Sequence, residues 1–237
     1  MPHLFINRPR QHDVFALDPA GRRHFRWEIV NAVVYLVGGV IFILGSVLFF
    51  PALAAYADLG AWIFVAGSLL YLVVTGHDLA EVLRSRRRLE GPPTPLQRLD
   101  AWAAVTYVAG SVAFAVGSVL FLSRVGLYDA GAWCFIGGSL LFVIGAVVNV
   151  LQIVRAADLV TLQLMNLTAL TFVTGSVIFA LASVPYLWSF EAEADKRLVE
   201  TYLAWQFVIG SALFFLGGLF NAWRAVLFVR RTRAGVA

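Results

Sequence analysis

The sequence feature that most constrains the fold is a string that occurs three times. It reads DLGAWIFVAGSLLY at 58–71, DAGAWCFIGGSLLF at 129–142 and, more loosely, TYLAWQFVIGSALF at 201–214. A second apolar string precedes each copy, with GGVIFILGSVLFF from Gly38, GSVAFAVGSVLFL from Gly110 and GSVIFALASVPYL from Gly175. Self-similarity of this kind indicates a repeated structural unit. The chain is therefore predicted to contain three copies of a unit made of two apolar segments.

The composition places these segments in a membrane. Hydrophobic residues make up 60% of the 237 residues and charged residues only 14%, against roughly 45–50% and 25% in soluble domains. Several apolar stretches exceed the ~20 residues that a helix needs to cross the hydrocarbon core. The first of them begins near Ile29 behind an arginine-rich lead, which does not resemble a cleaved secretory signal. A soluble domain is excluded.

The apolar stretches predict six transmembrane helices. Their expected ranges are 29–50, 58–79, 100–122, 128–154, 159–184 and 201–228. Because the links within each unit are short, the two helices of a unit must be antiparallel neighbours. The predicted fold is an all-α membrane protein of three tandem antiparallel hairpins with a pseudo-threefold internal repeat.

The same pattern divides the chain into segments. They are an N-terminal segment at 1–26, repeat 1 at 27–83, an Arg/Pro linker at 84–98, repeat 2 at 99–155, repeat 3 at 158–229 and a basic tail at 230–237. Repeat 3 differs from the others by an insertion at 188–200, which we expect to form a short polar external segment.

The distribution of cations predicts the orientation. Fourteen of the eighteen Lys and Arg residues fall in the two terminal segments, the 84–98 linker or the turn at Arg155, and Arg224 near the end of the last span makes fifteen on that side. Arg124, Lys196 and Arg197 lie at the other end. The positive-inside rule therefore places both termini in the cytoplasm. The net charge of +4 is explained by this bracketing of membrane spans. We predict a multi-pass membrane protein, with the lipid bilayer as its partner and no nucleic acid.

Two aligned sets mark the start of the second helix of each unit. Asp58, Asp129 and Thr201 are predicted helix N-caps, because a side-chain oxygen there accepts hydrogen bonds from free backbone N–H groups. The alternative is a ring that attracts cations. Tryptophans at the interface with water are typical membrane anchors, and four are assigned this role over a ligand-stacking platform: Trp27, Trp62, Trp133 and Trp205.

Small residues recur on one face of the predicted helices. Such a stripe allows helix backbones to approach closely. The predicted packing glycines are Gly38, Gly45, Gly67, Gly110, Gly117, Gly138, Gly175 and Gly210. Leucine at Gly67, Gly138 or Gly210 should impair assembly, and alanine should be far milder.

A third aligned set is the main candidate for function. Asp78, Asn149 and Asn221 occupy equivalent positions near the inner end of the second helices, on the face that carries Gly67 in the first unit. A polar side chain turned inward within a membrane helix is a functional hypothesis by default. The set is interpreted as a polar ring, and the alternative is that each group caps or cross-links helix ends. His77 is interpreted as a paired or solvated residue, with a proton relay as the alternative.

No motif for catalysis, nucleotide binding or metal binding occurs. Cys134 is the sole cysteine and lies in an apolar segment, which excludes an intrachain disulfide. We therefore predict no cofactor, no metal site and no enzymatic activity.

The strings described above resemble the YrhK-like domain, a small bacterial domain of two membrane helices. The resemblance is carried by WEI at 27–29, ILGSVLFF at 43–50 and GAWIFVAGSL at 60–69, and it weakens through the second and third units. It implies a membrane protein of a bacterial inner membrane, from a family without an assigned activity, and it transfers no catalytic residue. Two functions stay open: a non-enzymatic scaffold or accessory subunit that binds a second membrane protein or another copy of itself, and a channel or transporter for a small solute, ion or lipid.

Overall fold

The computed structural model describes residues 22–87, 91–151 and 159–233. Six α-helices account for most of this part of the chain: α1 (Arg22–Val47), α2 (Ala57–Arg87), α3 (Pro95–Leu120), α4 (Tyr128–Leu151), α5 (Leu159–Ser183) and α6 (Glu193–Arg233). Two short 3₁₀ segments, Pro51–Tyr56 and Val184–Leu187, follow α1 and α5. All six helices contain a stretch long and apolar enough to cross a membrane. The predictions of an all-helical fold and of six membrane-length helices are confirmed.

Helices enter the predicted 84–98 linker from both sides. α2 continues to Arg87, where Arg84, Arg86 and Arg87 lie in its last turn and interact favourably with the negative end of the helix dipole. On the other side, Thr94 and Gln97 form a capping box and Pro95 occupies the first helical position. This combination favours helix initiation. The connection between α2 and α3 is therefore shorter than its composition predicts.

The insertion in the third unit contributes the first turns of α6. Glu193 and Asp195 lie in the first turn of that helix, where acidic side chains complement the positive end of the helix dipole. Thr201 is consequently inside α6, and its hydroxyl donates to the carbonyl of Arg197 at 2.8 Å. The prediction that Thr201 is a helix N-cap is wrong, because the helix begins eight residues earlier.

Each helix packs against its neighbours in the sequence, and α6 also packs against α1. These contacts close the helices into a ring. The outward faces are apolar, with about half or more of the side chain exposed at Leu44, Leu170 and Leu181. An apolar exterior of this kind is typical of a surface that faces lipid.

The interior of the ring is filled by aromatic side chains at equivalent positions of the three units. We call these fifteen residues the aromatic column. Along the bundle they are Tyr35, Tyr107 and Phe172; Tyr71, Phe142 and Phe214; Phe42, Phe114 and Phe179; Phe64, Phe135 and Phe207; and Phe49, Phe121 and Tyr186. The first four sets are buried and the last is partly buried.

The fourth set shows how the rings of the three units meet across the interior. The ring centroids are separated by 6.2 Å between Phe64 and Phe135, 6.5 Å between Phe135 and Phe207, and 6.4 Å between Phe64 and Phe207. These distances fall in the range at which aromatic rings attract one another. Three nearly equal distances mean that one ring from each unit meets the other two in the interior.

The repeated glycines provide the space for these rings. A Cβ atom added at Gly110 would lie 2.6 Å from Phe142, and one at Gly210 would lie 2.7 Å from Phe179. The backbones of α3 and α4 also approach closely here. The Cβ atom added at Gly110 would lie 3.0 Å from the carbonyl oxygen of Gly138. The glycine stripe thus seats aromatic rings as well as bringing two helices together.

Hydroxyl groups connect helices of different units. Ser46 on α1 and Ser211 on α6 have their oxygens 3.0 Å apart, and Thr75 on α2 lies 3.3 Å from Ser111 on α3. Such hydrogen bonds between membrane helices are common where small residues bring them close.

Candidate functional site

Polar and ionisable side chains are buried at the end of the bundle where α1 and α3 begin and α2, α4 and α6 approach their ends. We call this group the polar cluster. Its members, each at most 7% exposed, are Asn31, His77, Asp78, Glu81, Asp100, Asn149, Asn221 and Arg224. Burial of charged groups in a membrane protein is costly and is concentrated at sites with a function.

The three residues of the predicted polar ring all belong to the polar cluster. Asn149 donates through Nδ2 to the hydroxyl of Tyr107 at 2.9 Å, within the α3 and α4 pair. Arg224 donates to Oδ1 of Asn221 within α6. Both of these bonds lie within a single unit, between α3 and α4 for Asn149 and within α6 for Asn221.

His77 lies beside Asp78, with Nδ1 3.8 Å from the Oδ1 atom of the carboxyl group. This distance allows an ion pair when the imidazole is protonated. Both side chains are buried, so the geometry is that of a paired histidine within the protein. Nearby basic residues had also suggested that His77 is solvated, and the burial of its side chain excludes this.

Sequence reasoning missed three buried charges. Glu81 and Arg224 occupy equivalent positions of the first and third units, three residues after Asp78 and Asn221, and Asp100 lies near the start of α3. The offsets that align the polar ring would have found Glu81 and Arg224. Their counterpart in the second unit is Gln152, which lies outside the described residues.

The donor set of the polar cluster does not resemble a metal centre. Among the described residues there is no group of three His, Cys, Asp or Glu side chains that could hold a metal ion. The buried carboxyl groups of Asp78, Glu81 and Asp100 each take part in at least one polar interaction. What the cluster can do chemically is to exchange protons or pair charges between helices.

The aromatic column separates the polar cluster from the opposite end of the bundle. The space enclosed by Phe42, Tyr71, Phe114 and their neighbours is too small to hold a water molecule, since a water requires roughly 10–15 Å³ of accessible volume. Its lining also includes Ser68 and Ser111. At this level of the aromatic column, the described space therefore leaves no room for a water molecule.

The remaining predicted residues lie toward the other end. Asp58 is in the first turn of α2, and its two carboxylate oxygens accept from the backbone N–H and the hydroxyl of Ser123 at 2.8 and 2.6 Å. It thus binds the link between α3 and α4. The chain is already helical at Ala57, so the prediction that Asp58 is a helix N-cap is wrong. Asp129 lies exposed in the first turn of α4.

The tryptophans lie on the outside of the bundle. Trp62, Trp133 and Trp205 are each more than half exposed. An outward-facing tryptophan is compatible with an interfacial anchor. The side chain of Trp27 lies outside the described residues.

Comparison with known proteins identifies part of this architecture. The family model for YrhK-like protein matches residues 25–83 and, separately, residues 97–154. Searches of curated proteins and of solved structures found no match to the chain. The two matched segments contain α1 with most of α2, and α3 with α4. The chain therefore carries two tandem copies of the YrhK-like domain.

Proposed function

We propose that this protein is a non-enzymatic membrane scaffold or accessory subunit, built from three tandem antiparallel hairpins around a pseudo-threefold axis. The third hairpin, at 158–229, completes the ring that the two matched domains begin. Support for the axis comes from the near-equal distances among Phe64, Phe135 and Phe207. The positive-inside rule supports cytoplasmic termini in a bacterial inner membrane.

The single observation that carries the scaffold function is the aromatic column. A conduit needs a path that can be wetted, whereas here aromatic rings from all three units fill the interior. Tight ring packing against glycine makes this interior resistant to opening, because a dense core does not deform continuously. A rigid bundle with an apolar outer face is suited to binding another membrane protein or a second copy of itself.

The scaffold proposal is tested first by ion flux. Proteoliposomes that contain the purified protein and a pH-sensitive dye inside should leak protons and K⁺ no faster than protein-free vesicles. Gramicidin added at the end provides the positive control. Native mass spectrometry from mild detergent should then show the 26.0 kDa chain in a complex of fixed stoichiometry. A bare monomer would exclude a second copy as the partner, and flux that depends on the protein would contradict the scaffold function.

A second candidate is a channel or transporter, and the polar cluster favours it. Buried Asp78, Glu81 and Asp100 are expensive in a protein that only packs, and His77 next to Asp78 could exchange a proton with it. This function requires the aromatic column to open during transport. Flux that depends on the protein and disappears in Asp78→Asn, with unchanged melting temperature, would establish it in place of the scaffold.

A further inference from the structure

A cavity of about 650 Å³ lies at the end of the bundle opposite the polar cluster. Residues from all three intra-unit links form its walls, within 48–58, 121–129 and 185–203. Sites for small molecules typically have volumes of ~300–1,000 Å³ and combine apolar walls with a few polar groups. We call this space the link cavity.

Negative charge dominates the lining of the link cavity. Asp58, Asp129 and Glu200 contribute carboxyl groups, and Lys196 contributes the one ammonium group among the lining residues. The Nζ atom of Lys196 lies 4.0 Å from a carboxylate oxygen of Glu193, which does not line the cavity. Part of its charge is therefore balanced outside. A cavity of this charge favours a cation and disfavours an anion.

Aromatic rings form much of the rest of the wall. Phe121 and Tyr186 meet edge to face at 4.9 Å, and the ring centroids of Trp188 and Phe190 are 6.4 Å apart. The face of an aromatic ring attracts a cation, and this attraction is the basis for recognition of quaternary ammonium ligands. An inorganic ion, which keeps its water, would gain little from such walls.

We propose that the link cavity binds a free organic cation, a substituted ammonium that carries an aromatic or branched apolar group. The carboxyl groups of Asp129 and Glu200 attract the charge, and Asp58, held by Ser123, adds a fixed negative group. The rings of Tyr186, Trp188 and Phe190 contact the apolar substituent. This binding site is independent of whether the bundle acts as a scaffold or as a conduit.

The test is a titration of the full-length protein in dodecyl maltoside with benzyltrimethylammonium, followed by isothermal titration calorimetry. We expect saturable binding to one site per chain. The combined substitution of Asp129→Asn and Glu200→Gln should weaken binding about fivefold or more, since it removes two of the attracting charges. Glu191→Gln is the matched control, because Glu191 is exposed in the same link and does not line the cavity. Its dissociation constant should stay within about twofold of the unmodified protein.

A second variant separates shape from charge. Ala54 lines the cavity, and Ala54→Trp fills part of it while every charge is kept, so binding should be lost. Trp188→Phe should remove the ligand-dependent change in tryptophan fluorescence while leaving measurable binding. All variants are compared at equal melting temperature and equal elution volume, which shows that they are folded.

Three results would overturn the proposal. They are the absence of saturable binding, equal binding by the charge variant and the control, and undiminished binding by Ala54→Trp. A further arm repeats the titration in nanodiscs with and without phosphatidylethanolamine. Loss of binding when that lipid is present would assign the cavity to a lipid ammonium headgroup and would overturn the free cation as its occupant.

Discussion

Gly138 on α4 faces Phe114 on α3 so closely that a Cβ atom added to the glycine would lie 2.8 Å from the ring. The same atom would lie 3.1 Å from the carbonyl oxygen of Gly110. Backbone cannot move aside as a flexible side chain can. A Cβ atom added instead to Gly137, the preceding residue, would meet nothing within 4 Å. Two adjacent glycines therefore have opposite roles in packing.

This contrast gives the first prediction. Gly138→Ala should lower the free energy of unfolding by about 1–3 kcal/mol, the usual cost of overpacking, whereas Gly137→Ala should be neutral or stabilising by up to ~1 kcal/mol because alanine favours helix. Melting curves in detergent measure both. The expectation from sequence that alanine is mild at the packing glycines does not fit Gly138. Equal melting temperatures for the two variants would show that Phe114 moves away freely.

The second prediction concerns Phe135, in the fourth set of the aromatic column. Phe135→Ala should destabilise the protein by about 3–5 kcal/mol, because the side chain is buried and the ring leaves a cavity. Phe135→Leu should cost less, since more of the volume is retained. Trp133→Ala, two residues away and 62% exposed, is the control and should change the melting temperature little. A large effect of the control would mean that the lipid-facing surface dominates stability.

The third prediction concerns the bond between Asp58 and Ser123. Asp58→Asn and Ser123→Ala should each lower the melting temperature slightly, because each removes a charge-assisted hydrogen bond from a pair that is exposed to solvent. A double-mutant cycle should show that the two effects are not additive. Additive effects would mean that the two residues act separately.

The fourth prediction is topological. A reporter fused after Ala237 should be active as a cytoplasmic fusion, because fifteen of the eighteen cations lie on the side of the termini. Alkaline phosphatase and green fluorescent protein fusions measure the two sides in a complementary way. Phosphatase activity at this position would reverse the orientation and place the link cavity in the cytoplasm.

The membrane architecture is accessible from sequence because the repeat and the apolar runs are local signals. The direction in which each side chain points is harder to predict, since both the lipid-facing and the buried faces of these helices are apolar. That is why the sequence reveals the glycine stripe more readily than its aromatic partners. The offsets that align Asp58 with Asp129 also align Phe64 with Phe135 and Phe207, so the column is available from the same comparison.

The errors at the helix ends have a different cause. Thr201 aligns with Asp58 and Asp129, but alignment ignores what precedes each position. In the third unit, Thr201 is preceded by a run of good helix formers that begins at Glu193. Their helix propensity extends α6 through this run. The buried charges Glu81 and Arg224 escape sequence reasoning for a related reason. Each lies next to basic sequence that resembles a solvated interface. The repeat offsets show that the two positions are equivalent, and their 2% exposure shows that they are buried.

The contact between α6 and α1 has a consequence for how the bundle assembles. A single two-helix domain supplies only five of the fifteen rings and would need two further copies, whose encounter in a bilayer depends on their concentration. Joining the units in one chain makes that encounter intramolecular, so that effective concentration replaces expression level as the factor that governs assembly. It also fixes the stoichiometry and allows the units to diverge. Asp78 in the first unit can therefore correspond to Asn149 and Asn221 in the other two.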